Sequence, residues 1–276
     1  MSSEKDFLDN YSIEKYKRPS VATDIVIFTM RSKDTESFRK DPVSKLSVLL
    51  IERGTHPFKG KLALPGGFVR IDETVEEATL REISEETNLM PTTLIHTGVF
   101  SAIDRDPRGR VISNAFTCIF NYEPKAIAGT DAENARWFDV SLQEPQKGKY
   151  LLELTDDNTS YSIIINENKS PLGITQYEVE NNDILAFDHT QILLTALKTL
   201  KERATKFELI FDFLSSEFTL TALQNVYEAI TGVTTVAGNF RRKVKEYVEE
   251  TSNSTQGAGH RPAKLFRKKV NIKNEA

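Results

Sequence analysis

Short apolar runs separated by polar loops fill the first two-thirds of the chain, a pattern typical of β-strands. Runs rich in β-branched and aromatic residues predict strands at residues 21–30, 45–52, 99–102, 111–121 and 135–140. A hairpin is predicted over residues 151–165, with its turn at Asp-Asp-Asn. With an amphipathic helix between the strands, this order fits a mixed sheet that carries helices on its faces.

Helical periodicity begins near residue 188. Apolar positions 192, 193, 196, 197 and 200 form one stripe of a helix, with Asp188 as its N-cap. His189 then falls in the first turn, where a structural role is favoured over a ligand role. Further helices are predicted at residues 207–214, 218–230 and 236–250, and a polar linker and a basic strand follow. Helix, turn, basic helix and basic strand in this order resemble a winged helix.

Composition is that of a globular protein, with 39% hydrophobic and 28% charged residues. No run approaches the roughly 20 apolar residues of a membrane span, and the N-terminal sequence lacks the apolar core of a signal peptide. The single cysteine, Cys118, cannot form an internal disulfide, which suits a reducing compartment. We therefore expect a cytoplasmic location and no membrane partner.

Charge is distributed unevenly along the chain. Residues 201–276 contain 13 Lys and Arg against 9 Asp and Glu, whereas the chain as a whole has 36 against 40. An acidic body with a basic tail indicates cation binding in the first part and polyanion binding in the second. A solvated basic surface is the alternative for the tail.

The densest chemical signal is a group of six glutamates within fourteen residues, at positions 73, 76, 77, 82, 85 and 86. A capping box from Thr74 to Glu77 predicts a helix start, and Glu82, Glu85 and Glu86 then project from one helix face. Like charges at this spacing repel, and a divalent cation held by oxygen ligands would reverse that effect. A solvated acidic helix is the alternative.

The stretch from Gly67 to Leu89 resembles the Nudix box, G-x5-E-x7-R-E-U-x-E-E-x-G-U, where U is aliphatic. The matching positions are Gly67, Glu73, Arg81, Glu82, Ile83, Glu85, Glu86 and Leu89. Asn88 replaces the glycine of the family, and asparagine is the next-best residue for the left-handed conformation expected there. The resemblance implies an α/β/α sandwich with a mixed sheet, Mg²⁺ or Mn²⁺ as cofactor, and hydrolysis of a nucleoside diphosphate linked to another group.

The resemblance also implies roles for individual residues. Glu82, Glu85 and Glu86 would ligate the metal, together with the backbone of Gly67. Arg81 and Glu73 would complete the catalytic group as supporting residues. The general base often lies outside the box in this family, and Glu133 is a weak candidate, because its sequence equally fits the loop before a strand.

Two outlying segments, at residues 53–61 and 104–113, are similar to the branch of ADP-ribose pyrophosphatase-like proteins and Nudix-related regulators of NAD metabolism. The residues expected to bind substrate are Arg53, Arg105, Arg108 and Phe68. Arginine forks suit phosphate, and a partner-subunit contact is a further reading of this loop. The alternative is a surface turn whose arginines pair with Asp104 and Asp106.

The C-terminal part is similar to the DNA-binding domain of the same regulators. We predict a Nudix domain at residues 1–203 and a winged-helix domain at 204–276, and the resemblance implies a homodimer. Six basic residues are expected to contact double-stranded DNA: Arg241, Arg242, Lys243, Lys245, Arg261 and Lys264.

Three functions are consistent with these patterns. The first is a Mg²⁺-dependent pyrophosphatase, with ADP-ribose as the expected substrate. The second is a transcriptional regulator of NAD metabolism that senses ADP-ribose, with weak or no hydrolysis. The third is an interaction module whose winged helix only dimerises. Every charged position of the box is intact, which favours metal chemistry, and the basic tail opposes the third function. The first two are compatible in one protein.

Overall fold

The computed structural model describes residues 3–33, 43–125, 132–180, 183–255 and 262–269. The α-helices are α1 (Glu4–Asn10), α2 (Val75–Thr87), α3 (His189–Thr205), α4 (Leu220–Thr231) and α5 (Ala237–Val244). Short 3-10 helices cover Ile13–Lys15 and Ile210–Phe213. The strands are β1 (Ser20–Lys33), β2 (Val43–Arg53), β3 (Leu62–Ala63), β4 (Gly66–Phe68), β5 (Thr93–Phe100), β6 (Val111–Phe120), β7 (Ala132–Gln146), β8 (Lys149–Thr155), β9 (Ser160–Lys169), β10 (Thr175–Val179), β11 (Val248–Ser254) and β12 (Lys264–Lys268).

A mixed sheet forms the centre of the molecule. Its order is β10-β9-β8-β7-β2-β1-β6-β5, with β3 paired to β2 and β4 paired to β1. β1 and β6 run parallel, and the other neighbours are antiparallel. β11 and β12 form a separate two-stranded sheet near the C-terminus. The predicted combination of a mixed sheet and a winged helix is confirmed.

Alternating side chains of β1 supply the cores on both faces of the sheet. Ile25 and Ile27 pack with Ile83 of α2 in one cluster. Val26 and Phe28 belong to the larger cluster on the other face, where α3 and α4 lie. Successive strand residues point to opposite faces, so one strand buried on both sides reads as a continuous apolar run. This is the α/β/α sandwich expected from the box.

The winged-helix segment packs directly on the sheet. α4 contacts β2 and α3, and residues of both parts share one apolar core. Phe207 lies in this core, with its ring 5.4 Å from the ring of Tyr227 and 4.9 Å from the ring of Tyr247. The domain division after residue 203 stays a prediction, since α3 itself continues to Thr205. In the part of the chain described here, no helix is both long enough and apolar enough to cross a membrane.

The helix predicted over residues 236–250 is half wrong. α5 ends at Val244, and residues from Val248 onward form β11, which pairs with β12. Val244 and Val248 are both buried, and their spacing of four fits a helix as well as a strand does. Pairing with the basic strand 264–268 decided the outcome, because tertiary context overrides weak local propensity. The linker predicted at residues 251–259 is correspondingly shorter.

Candidate functional site

The turn that leads into α2 needs glycine at two positions. A Cβ atom on Gly67 would lie 2.1 Å from Oε1 of Glu82, and one on Gly66 would lie 2.2 Å from the carbonyl oxygen of Thr23. Gly66 also has a φ of +151°, which L-residues rarely adopt. The backbone of this turn therefore lies directly against the Glu82 carboxylate.

α2 begins and ends as its sequence predicts. Thr74 and Glu77 form the capping box, and Asn88 closes the helix in the left-handed conformation with φ of 56°. Within the helix, Ile83 points to the core, so Glu82 and Glu86 lie on the flank that faces the glycine turn. Capping fixes where the helix starts, and with it the direction of the glutamates.

Arg81 joins three of the glutamates. It donates to both carboxylate oxygens of Glu73, at 3.0 and 2.7 Å, and to Glu82 at 2.6 Å. It also contacts Glu85, four residues further along the helix, at 3.4 Å. Hydrogen bonds from Arg81 and from the backbone of Arg70 lower the pKa of Glu73 to about 2. Glu73 therefore stays charged and holds Arg81 in one orientation.

Glu82 and Glu86 are withdrawn from solvent. Burial raises the pKa of Glu82, and Arg81 opposes that rise only in part. Glu86 is 6% exposed, whereas the side chain of Glu85 remains half exposed. Buried carboxylates are costly unless a cation is nearby. The carboxylates of Glu82 and Glu86 offer oxygen donors, the kind of ligand that Mg²⁺ and Mn²⁺ prefer.

The glutamates line one side of a cavity of about 350 Å³. Its wall includes nine of the residues predicted to act in catalysis, metal binding or substrate binding, namely Arg53, Gly67, Phe68, Arg81, Glu82, Glu85, Glu86, Arg105 and Arg108. Glu73 does not line the cavity itself, but it binds Arg81 and the backbone of Arg70, which do. The structure thus brings the box and both outlying segments to one place, although the role of each residue stays a prediction. The side chain of Glu133 lies outside the described part of the chain.

Arg105 is held by two carboxylates. Its guanidinium donates to Asp24 at 2.8 Å and to Asp188 at 2.7 and 2.9 Å, and its side chain is 4% exposed. Burial raises the pKa of Asp24, but His189 and the positive charge of Arg105 outweigh it, so the pKa lies well below its usual range. Asp188 precedes α3 as predicted, yet its side chain binds Arg105 instead of capping the helix.

Arg108 and Arg53 lie against aromatic rings. The guanidinium carbon of Arg108 is 5.2 Å from the ring centre of Phe68 and 5.6 Å from that of Phe187. The same carbon of Arg53 is 5.0 Å from Phe187. Asp106 fixes Arg108 through bonds of 2.7 to 3.2 Å, which is the pairing considered for a surface turn. Sequence reasoning missed Phe187, because nothing near it in the sequence places its ring in this cavity.

A second charged surface lies on the winged-helix segment. Arg241, Arg242 and Lys243 are exposed on α5, whose opposite side is buried through Phe240 and Val244. Lys245, also exposed, follows directly. On β12, Lys264 is exposed and pairs with Glu250, while Arg261 lies outside the described residues. The α5 face can present several positive charges to a polyanion.

Comparison with known proteins assigns both parts of the chain. Residues 26–153 match the NUDIX domain. The ADP-ribose pyrophosphatase of Methanocaldococcus jannaschii is 43% identical over 141 residues, which cover 50% of this chain and 73% of that protein. The chain belongs to the Nudix family. Residues 210–268 match the NrtR DNA-binding winged helix domain, so this Nudix protein carries an NrtR-type winged helix.

Two relatives match this Nudix protein over nearly its whole length. The ADPR responsive transcriptional repressor NtrR of Acinetobacter baylyi is 29% identical over 270 residues, which cover 96% of this chain and 88% of that protein. The crystal structure of a MutT/nudix family protein from Enterococcus faecalis superposes with a TM-score of 0.73 at 28% identity. That alignment covers 97% of this chain and 94% of the other. The two-part architecture therefore occurs as a unit.

Proposed function

We propose that this Nudix protein hydrolyses the pyrophosphate bond of a nucleoside diphosphate-linked substrate, with ADP-ribose as the substrate and Mg²⁺, or alternatively Mn²⁺, as the cofactor. The observation that carries the proposal is the packing of Glu82 against the glycine turn, inside a cavity that Glu86 and several arginines also line. The carboxylates suit a divalent cation, and the arginines suit phosphate. The similarity to an ADP-ribose pyrophosphatase supports the choice of substrate.

Each residue of the cavity then has a chemical task. Glu82, Glu85, Glu86 and the Gly67 carbonyl would hold the metal ion, which when bound neutralises the diphosphate and activates water. Arg81, fixed by Glu73, keeps Glu82 oriented. Glu86, which is buried, would bring its charge to the metal ion out of bulk solvent.

The other arginines and the aromatic rings that line the cavity would bind the rest of the substrate. Arg53 and Arg108 would contact the phosphates, and Phe68 and Phe187 would stack on the base. Arg105 also lines the cavity and would contribute to substrate binding, although its Nε and Nη2 already donate to Asp188 and Asp24.

The test of hydrolysis is release of AMP from ADP-ribose with Mg²⁺, measured for the purified protein and for Glu86→Gln. Removing a buried ligand charge should lower kcat by at least about a hundredfold, as loss of a metal's charge stabilisation costs several kcal/mol. Glu76→Gln is the matched control, because Glu76 is exposed on the same helix and does not line the cavity. Equal turnover in all three proteins would contradict the metal-site assignment.

A second function is favoured by the exposed basic face of α5 and by the similarity to an ADPR-responsive repressor. We propose that the protein also binds double-stranded DNA as a regulator of NAD metabolism, acting as a homodimer in the cytoplasm. A two-fold symmetric dimer would present two winged helices to a two-fold related site. The two functions are compatible, because hydrolysis would remove the signal that the regulator senses.

The test of DNA binding uses fluorescence anisotropy with a duplex from upstream of the protein's own gene, at several salt concentrations. Neutralising phosphates releases counterions, so log Kd should rise linearly with log salt, and the double variant Arg241→Ala/Arg242→Ala should reduce that slope by about two. Lys169→Ala, an exposed lysine on β9, is the control and should keep the slope. Binding that does not depend on salt would count against the regulator function.

A further inference from the structure

His189 links α3 to the glycine turn through both of its ring nitrogens. Nδ1 accepts a hydrogen bond of 2.9 Å from the backbone N–H of Leu64, and Nε2 lies 3.3 Å from Oδ1 of Asp24. A nitrogen that accepts from an N–H carries no proton, so the ring proton sits on Nε2 and is donated to Asp24. The imidazole is 4% exposed, and both of its nitrogens are engaged.

This arrangement decides the nature of the cluster formed by Asp24, Asp188 and His189. Their ligand atoms lie within 4.8 Å of one another, a spacing that could suit a metal ion. Arg105, however, already donates to both aspartates and supplies the positive charge between them. Both ring nitrogens of His189 are engaged as well. The three residues therefore form a fixed ion-pair cluster and not a second metal site.

This ion-pair cluster fixes the backbone that leads into the glycine turn. The segment before α3 pairs with β3, since Leu62 donates to Ile184 at 3.1 Å and accepts from Ala186 at 2.8 Å. One residue beyond Leu64, the carbonyl of Pro65 accepts from the N–H of Ile25 at 2.8 Å. Among these hydrogen bonds to residues 62–65, the bond from Leu64 to His189 is the one that goes to a side chain. Leu64 lies three residues before Gly67.

A displacement of Leu64 would therefore move Gly67 relative to α2. The turn has no slack there, because even a Cβ atom on Gly67 would overlap Oε1 of Glu82. A divalent cation of the Mg²⁺ type demands near-ideal ligand spacing. Groups that orient ligands without touching the metal commonly change metal affinity by about 10- to 100-fold when they are replaced.

We propose that His189 is a positioning residue of the metal site. Its Nδ1 holds the Leu64 backbone so that the Gly67 carbonyl and the Glu82 carboxylate keep the spacing that a divalent cation requires. Asp24 fixes the tautomer that makes Nδ1 an acceptor. The inference rests on the proposed function, because it assumes that the metal binds at Glu82 and Glu86.

The experiment measures Mn²⁺ affinity by calorimetry in the absence of substrate, for the wild type, His189→Asn and His189→Gln. Asparagine places an oxygen near the position of Nδ1 and can still accept from Leu64, whereas glutamine reaches toward Asp24 and loses that bond. We expect His189→Gln to bind Mn²⁺ about tenfold or more weakly, and His189→Asn to remain close to the wild type. Ile163→Val, a buried change in β9, is the control for destabilisation alone.

Two results would overturn the proposal. Equal Mn²⁺ affinity in wild type, His189→Gln and Ile163→Val would remove the positioning role while leaving the proposed hydrolysis intact. A wild type that binds no Mn²⁺ and releases no AMP would overturn the proposed function and the role of His189 with it.

If His189→Gln does not fold, NMR of the wild type tests whether His189 and Leu64 respond to metal binding. The His189 ring nitrogens and the Leu64 amide should shift during Mg²⁺ titration with the same Kd as the Gly67 amide. Signals of His189 and Leu64 that stay constant while Gly67 responds would overturn the proposal.

Discussion

At the scale of single residues, Phe187 shows how a site residue can depend on strained backbone. Its φ is 52°, a conformation that costs a bulky residue about 1–3 kcal/mol and persists only where the surroundings enforce it. The neighbouring segment is held by its pairing with Leu62, and the following residues begin α3. The strain directs the ring between Arg53 and Arg108. A flat aromatic surface next to two arginines suits a nucleobase attached to phosphates.

Removal of the Phe187 ring should weaken binding of the base and spare the other half of the substrate. Because stacking of a base on an aromatic ring contributes about 1–3 kcal/mol, Phe187→Ala should raise the inhibition constant of AMP by about tenfold. Ribose 5-phosphate has no base, so its inhibition constant should not change. Phe187→Tyr keeps the ring and should resemble the wild type. An equal loss for both inhibitors would mean that Phe187 only shapes the cavity.

At the scale of elements, α2 is defined by its two ends. The capping box at Thr74 satisfies backbone donors at the start, and Asn88 satisfies the end by donating its N–H to the carbonyl of Ser84. Asn88 adopts φ of 56° and ψ of 23°, where the family has glycine. The departure from the box is therefore compatible with an unchanged helix end, since asparagine tolerates this conformation better than other L-residues do.

Substitution at Asn88 should change stability without changing chemistry. Asn88→Ala should lower the free energy of unfolding by about 1 kcal/mol, because alanine is strained in the left-handed region. Asn88→Gly, the residue of the family, should be neutral or slightly stabilising. Thermal unfolding of both variants checks this, and AMP release should match the wild type in each. An Asn88→Ala protein as stable as Asn88→Gly would show that the helix end is not under this constraint.

At the scale of the whole molecule, α3 connects the cavity to the winged helix. Its first turn carries His189, which lines the cavity, and its later residues Leu197, Leu200 and Ala204 belong to the core that also contains Leu223 of α4. A packed helix transmits a shift at one end to the other, because close-packed interiors deform little. Occupation of the cavity can thereby bias the position of the basic helix α5, which follows α4 in the chain.

Binding of ADP-ribose and of DNA should therefore be coupled. Without added metal, so that ADP-ribose is not consumed, saturating ADP-ribose should change the Kd for the upstream duplex by about 5- to 150-fold. Coupling is reciprocal, so saturating DNA must change the Kd for ADP-ribose by the same factor. Anisotropy and calorimetry measure the two sides independently. A ligand that binds while leaving DNA affinity untouched would show that the two parts act separately.

Local spacing along the chain is enough to specify several elements and the chemistry that depends on them. The box from Gly67 to Leu89 fixed α2, its caps and its glutamate face, because a helix places residues three and four apart on one side. Short apolar runs predicted most strands, and the order of elements in the C-terminal segment predicted the winged helix.

Contacts between residues far apart in the chain become visible only in the folded protein. Asp24, Arg105 and His189 meet across 165 residues of sequence, and no local pattern contains that information. The position of the Phe187 ring is likewise set by distant residues. At β11, pairing with β12 produces a strand where the sequence pattern predicted a helix. Burial and pairing arise when distant segments pack, so they settle what local propensity leaves open.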